Sequence, residues 1–333
     1  MSASQAQAQE LEQAQERESA PQGKAQFLDA NFPMDAEGRT YHLGFKRGEV
    51  ANRILSVGDL GRASKLMALL DEPPDGKEVF RCHSNRNFTT FSGTFNGVPV
   101  SIISTMMGFP NMDFVVREAR AVVEGQMAFA RLGTCGALQR PAECGCIIVA
   151  SKGSVKVLRD PDAFDGGEDG ERPAYRIAKP VPADAQLSQL ILDNLRAKFK
   201  ELHDDEMVLP GMNASADSFY SSQGRVGLGF DDRNEELVDR LVDSHDGSIL
   251  SLEMETFHLL DLARCSRGTV VAASAAIALA DRWSNEFIDV SRIELLELAA
   301  GEAILRSLTE RPLDGAPQSD EDFLQLYGHS VFG

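Results

Sequence analysis

The sequence predicts an α/β fold, a single domain with a central mixed β-sheet flanked by helices. From about Tyr41 onwards, short β-branched runs alternate with stretches of helical period, which is typical of a sheet covered by helices. Thr269–Ala280 is an apolar run that suits a central strand. Phe88–Phe95 and Val98–Ser104 flank Asn96-Gly97, a dipeptide that marks a hairpin. There is no internal repeat and no linker, so one domain is favoured.

The other elements follow from apolar periodicity and length. Strands are predicted at Ile54–Val57 and Cys146–Ala150, and helices at Ala63–Leu70, Val115–Leu132, Ala185–Leu202 and Ser291–Leu308. Residues 1–25 are rich in Gln, Ala and Glu, so we expect a disordered tail before a folded domain at 26–333. Residues 158–173 carry six carboxylates among glycines and prolines. They predict an acidic surface loop, with cation binding as the lesser alternative.

Composition excludes several classes of protein. The net charge of −18 argues against nucleic-acid binding and against an anionic membrane surface. No apolar run is long enough to cross a bilayer. The cysteines are few, scattered and odd in number, and no signal peptide precedes them, so we expect a reduced, cytoplasmic protein. Such an acidic chain needs a local arginine cluster to bind an anion.

Two glycine-containing turns are candidate anion sites. Val57–Arg62 lies where a strand gives way to a helix, so backbone N–H groups and the Arg62 guanidinium could bind an anion there. Arg131–Gly136 combines an arginine with a threonine on a second glycine turn. Taken singly, each also fits an ordinary tight turn, with Arg62 as a surface residue.

Two further segments are candidates for binding an organic substrate. In Ala214–Arg225, Phe219 could stack on a heterocycle while Gln223 and Arg225 bind its polar edge. In Leu252–Thr256, a glutamate could bind adjacent hydroxyls of a sugar. The alternatives are a polar loop with one core phenylalanine, and acidic residues favoured at a helix N-terminus.

The cysteines do not predict a metal or redox site. Cys135 lies in the second glycine turn, but a buried small residue is a better interpretation than a nucleophile. Cys144 and Cys146 have one residue between them, too few for a zinc or redox Cys-x-x-Cys pair.

Read together, these segments resemble the nucleoside phosphorylase-I family, and within it the uridine phosphorylases. The resemblance covers about Tyr41 to Leu308, without the tail and the acidic loop, and implies the family's three-layer fold. Family motifs match the segments Tyr41–Gly44 (Phe-His-Leu-Gly), Val57–Arg62 (Gly-Asp-Pro-x-Arg, with Leu60 for proline), Arg86–Thr90 (Arg-Glu-Phe-Thr-Thr), Arg131–Gly136 (Arg-Ile-Gly-Thr-x-Gly), Ala216–Arg225 (Ser-Asp-Thr-Phe-Tyr-x-x-Gln-x-Arg) and Glu253–Glu255 (Glu-Met-Glu).

The resemblance implies a role for each matched position, with Arg131, Arg225 and Glu255 central to catalysis. Phosphate would be bound by Gly58, Arg62, Arg131 and Thr134, with Arg86 reaching in from a neighbouring subunit. The base would be bound by Phe219, Gln223 and Arg225, with Leu279 and Ala280 lining the back of its pocket. The ribose would be bound by Met254 and Glu255, and by His42 of the neighbouring subunit.

The implied reaction is reversible phosphorolysis of uridine, and of deoxyuridine or thymidine as further candidates, to uracil and the sugar 1-phosphate. The resemblance implies no cofactor and no catalytic metal, with phosphate as co-substrate and a homo-oligomer, at least a dimer, as the working form. A purine nucleoside phosphorylase is the nearest alternative, and Asp281 near the base pocket leaves it open. A nucleosidase or a non-enzymatic nucleoside-binding relative would not need Arg62, Arg86, Arg131 and Glu255 together.

Several positions depart from the bacterial members of the family. Asn87 replaces a glutamate that helps to bind a monovalent cation between subunits, which puts that ion in question. Met106 and Phe109 lie in a segment that is Gly-rich in those members, and we expect Phe109 to alter access to the sugar. The acidic loop has no counterpart there, which leaves dimer and hexamer both open.

Overall fold

The computed structural model describes residues 27–165, 172–202, 207–227, 229–315 and 326–332. The predicted tail at 1–25 and residues 166–171 of the predicted acidic loop lie outside the described residues. The chain divides into two units, residues 1–41 and 42–333. In the described part of the first unit, Met34 forms a β-bridge with Thr40, and the rings of Phe27 and Tyr41 meet edge-on at 4.6 Å. The elements below all belong to the second unit.

The strands are β1 (Arg53–Val57), β2 (Phe80–His83), β3 (Thr89–Phe95), β4 (Val98–Ser104), β5 (Met127–Ala137), β6 (Ile147–Val149), β7 (Ser154–Arg159), β8 (Tyr175–Ile177), β9 (Val208–Pro210), β10 (Met212–Ala216), β11 (Ile249–Glu253), β12 (Val270–Asp281) and β13 (Ser330–Phe332). The α-helices are α1 (Leu60–Met67), α2 (Phe109–Val122), α3 (Ala185–Glu201), α4 (Leu237–Asp243), α5 (Thr256–Cys265) and α6 (Val290–Glu310). Within the described ranges, no helix is both long and apolar enough to span a membrane.

One mixed sheet joins the strands in the order β13-β2-β3-β4-β1-β5-β11-β10-β7-β8, with β12 branching from β5 and leading to β6 and β9. β1 lies between its parallel neighbours β4 and β5, and β5 also runs parallel to β12. β3 and β4 form the predicted hairpin at Asn96-Gly97. The carboxyl ends of β1, β5 and β12 therefore reach the same edge of the sheet, where α/β proteins place their ligands.

Helices cover both faces of the sheet. Leu66 of α1, Leu195 of α3 and Ile304 of α6 belong to one buried cluster with Ala273 and Ala275 of β12. The intervening Ser274 must face the other way because strand residues alternate, and its hydroxyl lies 2.9 Å from the Thr256 hydroxyl of α5. The predicted α/β fold, with helices on a central mixed sheet, is confirmed.

The predicted helix Val115–Leu132 is wrong in its second half. Helix α2 ends at Val122, and Met127–Ala137 is the central strand β5. β5 lies between two parallel neighbours and is buried along most of its length, so its sequence is apolar on both faces. Such a strand shows no two-residue alternation and cannot be separated from a buried helix by periodicity.

Candidate active site

A cavity of about 290 Å³ opens at this edge of the sheet. All the predicted site residues line it except His42 and Arg86. The lining also includes residues to which the sequence analysis assigned no binding role. Some lie within the matched segments and some outside them, namely Asp59, Met106, Met107, Cys135, Gly136, Leu252, Glu253 and Phe287. Pockets for small molecules start at about 300 Å³, so the cavity suits a small ligand.

The turn between β1 and α1 brings Arg62 to the cavity. Asp59 caps α1, because its side chain accepts a hydrogen bond of 2.8 Å from the Arg62 backbone N–H. The Arg62 guanidinium is buried rather than at the surface. Its Nε donates to Glu297 Oε1 at 2.8 Å, its Nη1 donates to the Leu132 carbonyl at 3.3 Å, and its Nη2 lies 3.3 Å from Asp59 Oδ2.

Arg131 lies beside this turn because β5 pairs with β1, with Arg131 opposite Ser56. Its guanidinium is 4% exposed and contacts the Glu255 carboxylate through Nη2. Nε and Nη1 are buried and have no hydrogen-bond partner among the described residues. Buried donors normally have partners, so Nε and Nη1 of Arg131 each need an acceptor. The guanidinium lies over Gly133, where a Cβ would be 1.4 Å from Nη1.

The two glutamates of the Glu-Met-Glu segment have different surroundings. Glu253 accepts hydrogen bonds from Asn213 at 2.8 Å, from the Ser215 hydroxyl and from the Thr256 backbone N–H at 3.0 Å. It thus stabilises the start of α5, as expected for an acid at a helix N-terminus. Glu255 is the N-cap residue of α5, but its side chain makes no capping hydrogen bond. Its Oε1 accepts from the Gly108 backbone N–H at 2.5 Å and its Oε2 contacts Arg131.

These three charged groups shift each other's pKa values. Burial raises the pKa of Glu255 and, together with the negative charge of Glu253, outweighs the lowering by Arg131. Burial also acts to raise the pKa of Glu253, but Arg131 and the hydrogen bonds from Ser215 and Asn213 outweigh it and lower that pKa. Burial acts to lower the pKa of Arg131, yet the two carboxylates raise it overall. Glu253 is therefore the carboxylate that stays ionised, and Glu255 is the one that titrates more easily.

The segment after β10 also lines the cavity. Arg225 Nη1 donates to Gln223 Oε1 at 2.5 Å and to the Phe219 carbonyl at 2.9 Å. The Arg225 guanidinium carbon also lies 3.8 Å from the centre of the Phe219 ring. The predicted trio thus forms one unit in which an aromatic face, an amide and a guanidinium adjoin. Leu279 and Ala280 of β12 line the same cavity.

Arg282 and Asn234 hold this segment in place, and the motifs did not predict this role for either. Arg282 donates to the Gln223 carbonyl at 2.9 Å and to the Gly224 carbonyl at 3.3 Å. Asn234 donates through Nδ2 to the Ser221 carbonyl at 2.8 Å. Such side-chain bonds to backbone carbonyls leave no periodic signal in a sequence.

His42 and Arg86 do not line the cavity of their own chain. The His42 ring stacks on Phe114 of α2, with ring centres 3.7 Å apart. Its Nδ1 lies 2.6 Å from Glu118 Oε1, and Glu118 also accepts from the Leu43 backbone N–H at 2.9 Å. Arg86 lies in the turn between β2 and β3, next to Asn87 with its positive φ of 67°. That both residues act on a neighbouring subunit stays a prediction.

The mouth of the cavity carries exposed apolar side chains. Met107 is 74% exposed and Phe287 is 78% exposed, and both line the cavity. Met106 precedes them with a φ of 55°, a backbone conformation that is uncommon without glycine. Phe109, expected to alter access to the sugar, is instead buried at the start of α2, between Lys156 and His258.

The cysteines near the cavity are protonated thiols. Burial raises the pKa of Cys135 far above its ordinary value, and it raises the pKa of Cys144 to about 11. Only the thiolate is a nucleophile, so Cys135 lines the cavity as a small apolar group. In the part of the chain that the structure describes, no three His, Cys, Asp or Glu side chains are grouped to bind a metal.

Comparisons with known proteins agree with this geometry. A model of the phosphorylase superfamily matches residues 52–309. A uridine phosphorylase of Thermococcus kodakarensis is 31% identical over 280 residues, covering 84% of this chain and 90% of that protein. A guanosine phosphorylase of Halorubrum lacusprofundi is 29% identical over 223 residues, covering 67% of this chain and 76% of that protein.

A solved structure extends the comparison to the fold. It comes from work on two uridine phosphorylases of the oomycete Phytophthora capsici, and it is 44% identical to this chain. It superposes with a TM-score of 0.82, covering 86% of this chain and all of that one. Family model, sequence relatives and structure agree, and the motif-based resemblance is confirmed. This chain belongs to the phosphorylase superfamily, as a member of the nucleoside phosphorylase-I family.

Proposed function

We propose that the chain is a uridine phosphorylase, a pentosyltransferase that cleaves uridine reversibly with phosphate to give uracil and ribose 1-phosphate. The observation that carries the proposal is the set of groups that line one cavity together. Arg62, Arg131 and Glu255 line it with the Phe219–Gln223–Arg225 unit, Glu255 contacts Arg131, and Arg225 is bound to Gln223. The matched uridine phosphorylases support the same reaction.

Phosphate binds beside the two buried arginines. Arg131 supplies the Nε and Nη1 hydrogens that have no acceptor in the described protein, and Arg62 supplies hydrogens from its Nη groups. Charge-assisted bonds of this kind orient a phosphate oxygen as well as bind it. Thr134 and the backbone of Gly58 complete the lining. Phosphate is then positioned below the sugar carbon that it attacks, which is positioning catalysis.

Cleavage leaves positive charge on the sugar, between the incoming anion and the departing base. Negative charge develops on uracil as the bond breaks, and the Arg225 guanidinium with the Gln223 amide stabilises it. These groups are already fixed by each other and by Arg282, and preorganised charge is the largest contribution in many enzymes. Glu255 binds the ribose hydroxyls and keeps the sugar in place. The reaction needs no cofactor in this scheme.

The working form that we propose is a cytoplasmic homo-oligomer, at least a dimer, in which His42 and Arg86 complete the site of a neighbouring subunit. Purine phosphorolysis is the second candidate, because a guanosine phosphorylase is among the relatives. Asp281, which kept that alternative open, is buried and does not line the cavity. We therefore rank uridine first.

The test is the release of free base from uridine, with inosine and guanosine in parallel, each with and without phosphate. We expect uracil only when phosphate is present, together with ribose 1-phosphate. Equal release without phosphate would mean hydrolysis and would overturn the role of the arginines. Cleavage of the purine nucleosides alone would assign the chain to the purine branch.

A further inference from the structure

Glu297 is a buried carboxylate that is outside the cavity and yet contacts the proposed phosphate site. It lies on α6 and is 5% exposed. One oxygen accepts from Arg62 Nε at 2.8 Å, and the other accepts from Lys65 Nζ at 2.9 Å. A buried carboxylate is retained only when such partners offset its desolvation. Glu297 thus joins α6 to the first turns of α1, which begins at the proposed anion site.

The contact with Glu297 engages Nε of the Arg62 guanidinium, and Arg62 lines the cavity. A guanidinium has five N–H groups in one plane. Nε is bound to Glu297, while Nη1 and Nη2 each make one contact, with the Leu132 carbonyl and with Asp59. One hydrogen on each Nη is left, and the two can bind one anion bidentately. Without Glu297, the Nε hydrogen has no acceptor and the plane can rotate towards Asp59.

We propose that Glu297 is a positioning residue for phosphate, acting through the orientation of Arg62. This inference rests on the proposed phosphorolysis. Charge alone predicts the opposite effect of Glu297 on phosphate binding. Glu297 is a negative group near an anion site, so its removal would strengthen phosphate binding if orientation did not matter. The sign of the change in phosphate affinity therefore separates positioning from simple electrostatics.

The test compares Glu297→Leu and Glu297→Gln with Lys65→Met. Lys65 binds the same carboxylate from the partly exposed side and does not contact Arg62 in the described structure. Lys65→Met thus removes one link between α1 and α6 and leaves the Arg62 contact. Glu297→Gln keeps an oxygen for Nε if Glu297→Leu fails to fold. The readouts are KM for phosphate, KM for uridine and direct calorimetric binding of inorganic phosphate, with thermal unfolding as the folding control.

For Glu297→Leu we expect phosphate KM to rise on the order of tenfold, with uridine KM nearly unchanged. The rise should be smaller for Glu297→Gln and absent for Lys65→Met. An unchanged or lower phosphate KM in a folded Glu297 variant would overturn the proposal, as would an equal rise in Lys65→Met. If the unmodified protein does not cleave uridine, the proposed function has failed. Calorimetry with phosphate alone still decides the role of Glu297.

Discussion

The Arg225 guanidinium is charged, half-buried and fixed before any substrate arrives. Burial lowers its pKa to about 10, and the nearby Arg282 contributes to the same shift. The group is nevertheless protonated at neutral pH, because this pKa lies well above 7. Its contacts with Gln223 and Phe219 hold it in one orientation. A fixed charge stabilises a departing anion without the cost of reorientation.

Arg225→Ala should therefore lower kcat/KM for uridine by about 10²–10³-fold and leave the fold intact. Arg233→Ala is a suitable control, because Arg233 contacts Phe164 and the Ala163 carbonyl outside the cavity. Steady-state kinetics and circular dichroism of both variants check this. Near-normal turnover by Arg225→Ala would contradict the assignment of the base pocket.

Glu255 gives the site a pH dependence on the acid side. Burial raises its pKa in the folded protein, so the neutral form is favoured there. Because the folded protein binds this proton more tightly than the unfolded chain does, the protonated Glu255 contributes to folding stability. That contribution is complete below the unfolded-state pKa and is lost as the pH rises through the folded-state pKa. The ionised form binds sugar hydroxyls and Arg131 best. Activity should therefore rise as the pH passes upward through this raised pKa.

Comparing pH profiles of kcat/KM for the unmodified protein and Glu255→Gln measures this ionisation. Phosphate titrates in both experiments, so the ratio of the two profiles isolates the carboxyl. We expect the ratio to increase with pH around a pKa above 4.5, the ordinary value for this residue. A ratio that is flat across the acid range would exclude Glu255 as the titrating group.

At the scale of elements, helix starts and strand ends carry both the stability and the site. α3 begins at Asp184, whose side chain accepts from the Leu187 backbone N–H at 2.7 Å and pairs with Arg311 at 3.3 Å. Asp184 does not line the cavity. This start of a helix can therefore be weakened without touching the chemistry.

Asp184→Ala should lower the free energy of unfolding by about 1 to 2 kcal/mol with kcat/KM unchanged. The control is Asp193→Ala on the same helix. Among the described residues, the Asp193 carboxylate accepts only from the exposed Gln189 amide. It should cost less than about 0.5 kcal/mol. Urea unfolding of both variants measures the two losses in the free energy of unfolding. Equal losses would mean that the cap does not stabilise α3.

The sequence predicted those features that depend on local chemistry. The hairpin at Asn96-Gly97, the turn of Arg62 and the strand Thr269–Ala280 follow from residue types over a few positions. The first half of β5 falls inside the predicted helix Val115–Leu132, because a strand buried on both faces lacks its two-residue period. The sequence also did not predict the roles of Glu297, Arg282 and Asn234. These residues act through contacts with distant parts of the chain, which only the fold brings together.

At the scale of the whole molecule, the net charge is −18, and the proposed anion site is a buried arginine cluster. The overall charge keeps anions away at long range, while Arg62 and Arg131 act at close range, where screening is weak.

His42 and Arg86 lie outside the cavity of their own chain. Completion of the site by a second copy can be tested by mixing inactive variants.

His42→Ala and Glu255→Gln should each be nearly inactive alone and should regain activity when refolded or expressed together. In a mixed dimer, one site receives intact His42 from one subunit and intact Glu255 from the other. Statistical mixing then restores about a quarter of the unmodified activity. No recovery, in mixtures that demonstrably contain mixed oligomers, would place His42 in its own subunit's site or outside the site altogether.

The guanidinium of Arg131 lies where a side chain on Gly133 would have to be. In a saturation-mutagenesis screen that selects cells for growth on uridine as carbon source, position 133 should tolerate glycine alone. It would then score like a catalytic position, although glycine has no functional group to contribute. Such a screen detects positions that leave space for a reactive group as well as the reactive groups themselves. Here, a glycine that tolerates no substitution identifies Arg131, the neighbour that fills the space a side chain would need.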